Sequence, residues 1–288
     1  MDIPQSSTPY YSGTAGNVMM GFSTIYTTIA HVLSSVILRA IPFLIHPSPL
    51  NPSESFSLHM SPSSNKHVAI VTGSNTGIGY QTSLSLVEKG YDVILACRSR
   101  SKAETAAKSI NQKVRMNEKS GKAIFLHPLD LTSFHSVQSF SEAFSNQYSS
   151  LNILVNNAGL NASGNGVSEN NLDVVFQANS IGHFLLTKLL LPRLLAAKNI
   201  IIDEKEETTV EAGRIVNLSS TMHHFCVPAY ETQRKLYEEK FWEDCSKPHF
   251  STNTYTESKL AAILFSMELN KRFGSKGIRS ISVNPGAV

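Results

Sequence analysis

From residue 67 onward, short apolar runs alternate with longer stretches whose apolar residues recur at helical spacing. VAIV at 68–71 and NILV at 152–155 read as the near-continuous runs of strands buried on both faces. The pattern predicts strands over residues 67–72, 92–96, 123–127, 152–156, 214–218 and 279–283. Helices are predicted between them, over residues 78–89, 102–117, 136–147, 181–197 and 258–273. Strand and helix taking turns implies βαβ units and a parallel sheet, because parallel neighbours need a crossover.

Two insertions interrupt this rhythm. Residues 200–211 (IIIDEKEETTVE) are acidic and predict a solvated surface loop. Residues 222–253 separate a strand from the next helix, and loops that long are usually functional or mobile. No solenoid repeat is present.

Residues 1–65 are of another kind, rich in Ser, Thr and Pro, with Asp2, Arg39 and Glu54 as their charged residues. Residues 18–38 (VMMGFSTIYTTIAHVLSSVIL) carry no charge and are long enough to cross a bilayer as a helix. Three readings are open: a signal-anchor helix, a cleaved targeting segment, and an amphipathic or disordered extension. For an anchor, positive charge after the run puts the rest of the chain in the cytosol, on an endoplasmic reticulum or other organelle membrane. A cleaved segment instead gives a soluble protein inside an organelle. Pro47, Pro49, Pro52 and Pro62 among serines make residues 46–65 a linker. The expected division is therefore an extension over 1–65 and a folded domain over 66–288.

Composition narrows the function. Apolar residues make up 41% of the chain, enough for a substantial core. A net charge of +3, with no basic and aromatic residues interleaved, argues against a nucleic-acid partner. Cys97, Cys226 and Cys245 lack metal-ligand spacing and read as free thiols, so no metal site is expected.

The first predicted strand ends in Thr72-Gly73-Ser74-Asn75-Thr76-Gly77-Ile78-Gly79 and runs into a helix. Glycines there allow a tight turn and close approach of the backbone to a pyrophosphate at a helix N-terminus. TGxxxGIG in this place resembles the short-chain dehydrogenase/reductase family, and further motifs follow in family order from residue 66 to the end. The resemblance implies a three-layer, Rossmann-type doubly wound parallel sheet, with Gly73 to Gly79 holding a nicotinamide dinucleotide. Relatives that bind NAD place an acidic residue after the second strand. Arg98 stands here instead, a planar, permanently charged group suited to the 2′-phosphate of NADP(H). Asp130 and Leu131 resemble the pair bordering the adenine. Asn156-Asn157-Ala158-Gly159 resembles the turn whose small residues let the cofactor lie on the backbone. Asn284-Pro285-Gly286 resembles the turn beside the nicotinamide.

Tyr255-Thr256-Glu257-Ser258-Lys259 matches the family's YxxxK. Four residues apart on a helix share a face, so Lys259 can bring its charge to the Tyr255 phenol and the nicotinamide ribose. A cation there favours the phenolate, which lets the phenol give or take a proton. By resemblance, Ser220 of Ser219-Ser220 polarises the substrate oxygen, although the serines alone leave that choice open. Asn179 anchors a water in a proton relay to Lys259.

ILACRS, GHFLLT, RIVNLSS followed by His223-His224, and YTESKLAAILF resemble the retinol-dehydrogenase-like branch. Many members are membrane-anchored, use NADP(H) and act on small apolar carbonyls or alcohols. The two histidines border the substrate or lie in a surface loop. A homodimer through the helices around Ile181 and Leu260 fits the superfamily. The chain ends at Val288, just after the Pro-Gly turn, where family members add a helix pair and a seventh strand. The expectation is a fragment that lacks the usual last strand, with an exposed edge and an open pocket wall. Alternatives to an active reductase are a non-catalytic NADP-binding sensor or scaffold, an inactive fragment, and a pigment-pathway reductase of the same superfamily.

Overall fold

The computed structural model describes residues 67–115, 119–161, 166–202, 208–225 and 254–286. The uncharged run at 18–38, the linker at 46–65 and most of the 222–253 interval lie outside the described residues. In chain order the strands are β1 (Val68–Thr72), β2 (Asp92–Ala96), β3 (Ala123–Ile124), β4 (Ile153–Asn156), β5 (Asn199–Ile202), β6 (Thr208–Glu211), β7 (Arg214–Leu218) and β8 (Arg279–Val283). The helices are α1 (Gly77–Glu88), α2 (Arg100–Val114), α3 (Phe134–Gln147), α4 (Val174–Leu195) and α5 (Thr254–Phe273).

Six strands form one parallel sheet in the order β3-β2-β1-β4-β7-β8. Side chains alternate across it. Ala69, Val71, Val93, Leu95 and Val155 pack with Val87 of α1 and with Ala106, Ala107 and Ile110 of α2. Ile70, Ile94, Leu154 and Ile215 are fully buried and point to the other face. Polar contacts identify what covers it. Asn156 reaches Thr187 of α4, and Asn217 reaches Ser266 of α5. The result is a three-layer α/β sandwich. Its strand order reverses between β1 and β4, where open α/β sheets form a crevice at the strands' carboxyl ends.

Several elements depart from the pattern-based expectation, among them α5, which starts at Thr254 instead of 258, and α2, which ends at Val114 instead of 117. The described ends of the 200–211 segment are strands instead of surface loop: β5 and β6 pair antiparallel, with Asn199 opposite Glu211. The β-branched residues at both ends of that segment outweigh its acidic middle. β3 stops at Ile124 instead of continuing to residue 127. α4 begins at residue 174, seven residues before the predicted start at 181, because Asp173 caps it by accepting from the Phe176 N–H at 2.8 Å. Its first turns hide Gln177 and Asn179 inside the protein, which breaks the apolar period that marks a helix in sequence. α4 is also long and apolar enough to cross a membrane. Here Leu185, Leu186, Leu190 and Leu194 are buried in the protein core, and that burial accounts for its composition.

Both sheet edges are partly closed by an asparagine. On β3, Asn111 of α2 donates to the Ala123 carbonyl at 2.9 Å and accepts from its N–H at 2.8 Å. On β8, Asn270 of α5 does the same for Ser280, at 2.6 and 2.8 Å. Each amide stands in for a missing neighbour strand. On the remaining face of β8, Ile281 and Val283 are exposed.

A buried polar row crosses the sheet towards α5. Asn156 donates to Asn217 at 2.7 Å, and Asn217 donates to Ser266 and Ser280 at 2.9 and 3.3 Å. Replacing Asn217 by alanine leaves these groups short of partners in a dry interior. We expect Asn217→Ala to cost about 1–3 kcal/mol, read as a lower urea midpoint with an unchanged slope. An unchanged midpoint would show that the row contributes nothing to stability.

Candidate active site

The turn after β1 is built for close approach. Gly73 and Gly77 take φ of +64° and +55°, which side chains rarely adopt. A Cβ on Gly79 would lie 2.5 Å from both Asn157 Nδ2 and the Gly73 carbonyl oxygen. The turn is laced to the one after β4. Asn157 and Ala158 both donate their backbone N–H to Thr72 Oγ1 at 2.9 Å, and Asn157 Nδ2 donates to the Thr72 carbonyl at 2.7 Å. At the start of α1, Thr76 supplies no side-chain cap, and no acidic residue occupies the first turn. The helix's leading N–H groups and partial positive charge are thus free of a local anion. Thr76 and Gly77 are exposed, Asn75 and Ile78 half-buried. Ser74 is buried, with its hydroxyl 3.3 Å from Cys97 Sγ, and burial pushes the Cys97 thiol up.

Arg98 follows β2, exposed, and its side chain makes no ion pair or hydrogen bond with another described residue. Asp130 accepts from Thr132 N–H at 2.9 Å and its hydroxyl at 2.6 Å. Leu131 is buried against α4. A Cβ on Gly182 would sit 2.4 Å from the Leu131 carbonyl oxygen, so glycine is required where the two backbones meet.

Opposite the glycine turn, α4 widens into a π-turn over Gln177–Ile181 that carries Asn179 inward. Asn179 Oδ1 accepts from Leu160 N–H at 2.7 Å, and its Nδ2 donates to the Leu160 carbonyl at 3.1 Å and to Ser258 Oγ at 3.0 Å. Ser258 in turn donates to the Tyr255 carbonyl at 2.7 Å. Lys259 Nζ donates to the Leu218 carbonyl at 3.2 Å and lies 5.3 Å from the Tyr255 ring centroid. A Cβ added to Gly159 would be 3.4 Å from Asn179 Oδ1 and 3.5 Å from Lys259 Nζ. Gly159, Asn179, Tyr255 and Lys259 therefore converge at the carboxyl ends of β4 and β7. Lys259 is buried, and burial lowers its pKa.

Ser219 ties down the α5 backbone by donating to the Lys259 carbonyl at 2.8 Å. Ser220 Oγ accepts from Met222 N–H at 3.2 Å, and no hydrogen bond joins it to Tyr255 among the described residues. His223 Nδ1 meets the Ser220 carbonyl, and its ring lies 3.9 Å from that of exposed His224. Pro285 and Gly286 are exposed just past β8, with Gly286 at φ +83°. Thus the Gly73–Gly79 turn, Asn157–Gly159, Asn179, Tyr255 and Lys259 gather around one crevice. Arg98, Asp130 and Pro285-Gly286 make no hydrogen bond or ion pair with that cluster among the described residues.

Sequence reasoning passed over Thr72, Ser258 and His183 as working residues. All three are buried and polar. The detectable signal was His183 four residues after Asn179, one helical turn away.

A family model described as short chain dehydrogenase matches residues 67–232. This chain belongs to the short-chain dehydrogenase family. Retinol dehydrogenases are among the proteins it resembles in sequence. Retinol dehydrogenase 11 of Mus musculus is 38% identical over 221 residues, covering 77% of this chain and 61% of that protein. Retinol dehydrogenase 13 of Homo sapiens is 34% identical over 220 residues, covering 75% and 57%. The short-chain dehydrogenase thus spans less than two thirds of the length of these curated relatives. Its fold matches an alcohol dehydrogenase from Thermococcus sibiricus complexed with 5-hydroxy-NADP, with a TM-score of 0.55, 21% identity and 77% of each chain covered.

Proposed function

We propose that this dehydrogenase exchanges hydride between NADP(H) and a small apolar carbonyl or alcohol, with Tyr255 as the proton donor and acceptor. The observation that carries the reading is the convergence of Asn179, Tyr255 and Lys259 at Gly159, beside the glycine turn. The residues present fit a dinucleotide. A glycine cradle that a Cβ would fill lies at the uncapped start of α1, as a pyrophosphate requires. Ser74 to Ile78 would line its phosphates, Asp130 and Leu131 its adenine, and Asn157 to Gly159 with Pro285 and Gly286 its nicotinamide half. When bound, the nicotinamide supplies or takes up the hydride.

The chain's own residues would handle the proton. Tyr255 protonates the carbonyl oxygen in reduction and takes the proton back in oxidation. Lys259 stands one helical turn on, its ammonium 5.3 Å from the Tyr255 ring centroid. Ser220 would hold the substrate oxygen after turning its hydroxyl from the Met222 amide. Asn179 holds the Leu160 backbone and Ser258, and so the wall of the crevice. Support for apolar substrates comes from the similarity to retinol dehydrogenases. For location, we propose the 18–38 run as a membrane anchor, joined by the 46–65 linker to a catalytic domain in the cytosol. A homodimer is proposed through α4 and α5.

A steady NADPH loss with a panel of apolar aldehydes and ketones tests the activity, and its absence across the panel would defeat it. Arg98 provides the cofactor test. Its charge has no partner among the described residues, and one charge-assisted contact to a phosphate is worth about 1.5–3 kcal/mol. Arg98→Asp is therefore expected to lower kcat/KM for NADPH by at least about tenfold while raising that for NADH. An unaltered ratio of the two would remove Arg98 from the cofactor site.

A further inference from the structure

His183 lies between the two halves of the crevice, 4% exposed. Its Nδ1 is 3.2 Å from the Asn179 carbonyl oxygen, and its Nε2 is 2.9 Å from Thr72 Oγ1. A carbonyl can only accept, so the proton must sit on Nδ1. At the other nitrogen, Thr72 Oγ1 already accepts from the amides of Asn157 and Ala158. What the hydroxyl has left is its own proton. Nε2 at 2.9 Å is a better receiver than the Val155 carbonyl at 3.4 Å. The ring is thus neutral, taking from Thr72 and giving to Asn179. Charging it would aim a third donor at an oxygen whose two lone pairs are occupied. Burial pushes His183 down to about 4, with the Asn179 carbonyl opposing and the charge of Lys259 reinforcing the shift.

We infer that His183 is a positioning residue, a neutral imidazole that locks the π-turn carrying Asn179 to the Thr72 hydroxyl that organises the nucleotide-facing turns. The inference deepens the proposed function and rests on it. A π-turn is an uncommon backbone geometry and needs external support. The side chain of Asn179 is spent on Leu160 and Ser258. Its backbone carbonyl is held by the ring of His183, one turn on, which is itself anchored to Thr72 of β1. The same ring orients the hydroxyl on which Asn157 and Ala158 hang, one residue before Gly159. The link thus joins the nucleotide-facing turns to the helix that bears Asn179, and displacements of an ångström at reacting groups cost about a hundredfold in rate.

The two nitrogens can be tested separately in the full-length chain. His183→Asn places an amide near Nδ1 and keeps a donor for Asn179. His183→Gln reaches towards Thr72 and keeps an acceptor there. His183→Leu keeps neither. The readouts are the NADPH dissociation constant by fluorescence and kcat with an apolar aldehyde. His183→Gln should lower kcat by about tenfold or more with near-native NADPH affinity. His183→Asn should chiefly weaken NADPH binding, and His183→Leu should do both. Equal losses in all three single variants would mark a merely structural role and overturn the inference, as would native kinetics in His183→Leu.

Nitrogen-15 NMR of histidine-labelled wild-type protein at neutral pH gives a reading that needs no variant to fold. Protonated Nδ1 with bare Nε2 is expected, and the opposite tautomer or a charged ring overturns the link. A wild-type protein with the expected tautomer but no NADPH binding or turnover would instead defeat the proposed function and leave the hydrogen-bond assignment standing.

Discussion

Replacing Tyr255 by phenylalanine is expected to lower kcat by about 10²–10⁴ while leaving NADPH affinity within about twofold. The change removes one oxygen and keeps the ring beside Lys259, whose ammonium is 5.3 Å from the ring centroid. Among the described residues, no hydrogen bond within the helix uses that oxygen. Ser258 bonds the Tyr255 backbone, and Ser219 bonds that of Lys259. The loss should therefore fall on the proton step and spare folding and nucleotide binding. Single-turnover rates and a fluorescence titration on the same preparation separate the two. Turnover persisting near the native rate would mean that another group handles the proton.

Gly79→Ala should act on the other half of the site and, unlike the tyrosine variant, on the fold as well. Its new carbon would meet Asn157 Nδ2 and the Gly73 carbonyl oxygen, each at 2.5 Å. The carbonyl belongs to the turn itself, and Asn157 is held by the Thr72 backbone. Neither can yield without parting the turns after β1 and β4. Overpacking of this kind costs about 1–3 kcal/mol in stability. Because the displaced backbone is the proposed phosphate cradle, NADPH affinity should fall by at least about tenfold. Gly77→Ala is the matched control. Open space surrounds its Cβ, and only a φ of +55° opposes it, a strain of about 1–2 kcal/mol. A Gly79→Ala protein that bound NADPH as tightly as the Gly77→Ala protein would move the nucleotide away from this turn.

The proposed catalytic pair was readable from spacing, because four residues on a helix make one turn whatever surrounds it. Glycines at 73, 77 and 79 were equally readable, since few other residues tolerate such a turn. Ser220 was less so. The family pattern marks it, yet in the structure its hydroxyl is turned to the Met222 amide. Ser219, set aside as structural, holds the backbone of Lys259.

What the amino-acid sequence determined by itself is the alternation of strand and helix and the order of the motifs. Both rest on local rules: apolar period, turn chemistry and the reach of one helical turn. Tertiary structure alone decided the early start of α4, its π-turn, the β5–β6 hairpin and the place of His183. Each involves polar groups inside the protein or pairing at a distance. A buried polar side chain looks like a surface one in sequence. Only the fold supplies the partners that make its burial affordable: Thr72 for His183, Leu160 for Asn179, and Ser266 for Asn217.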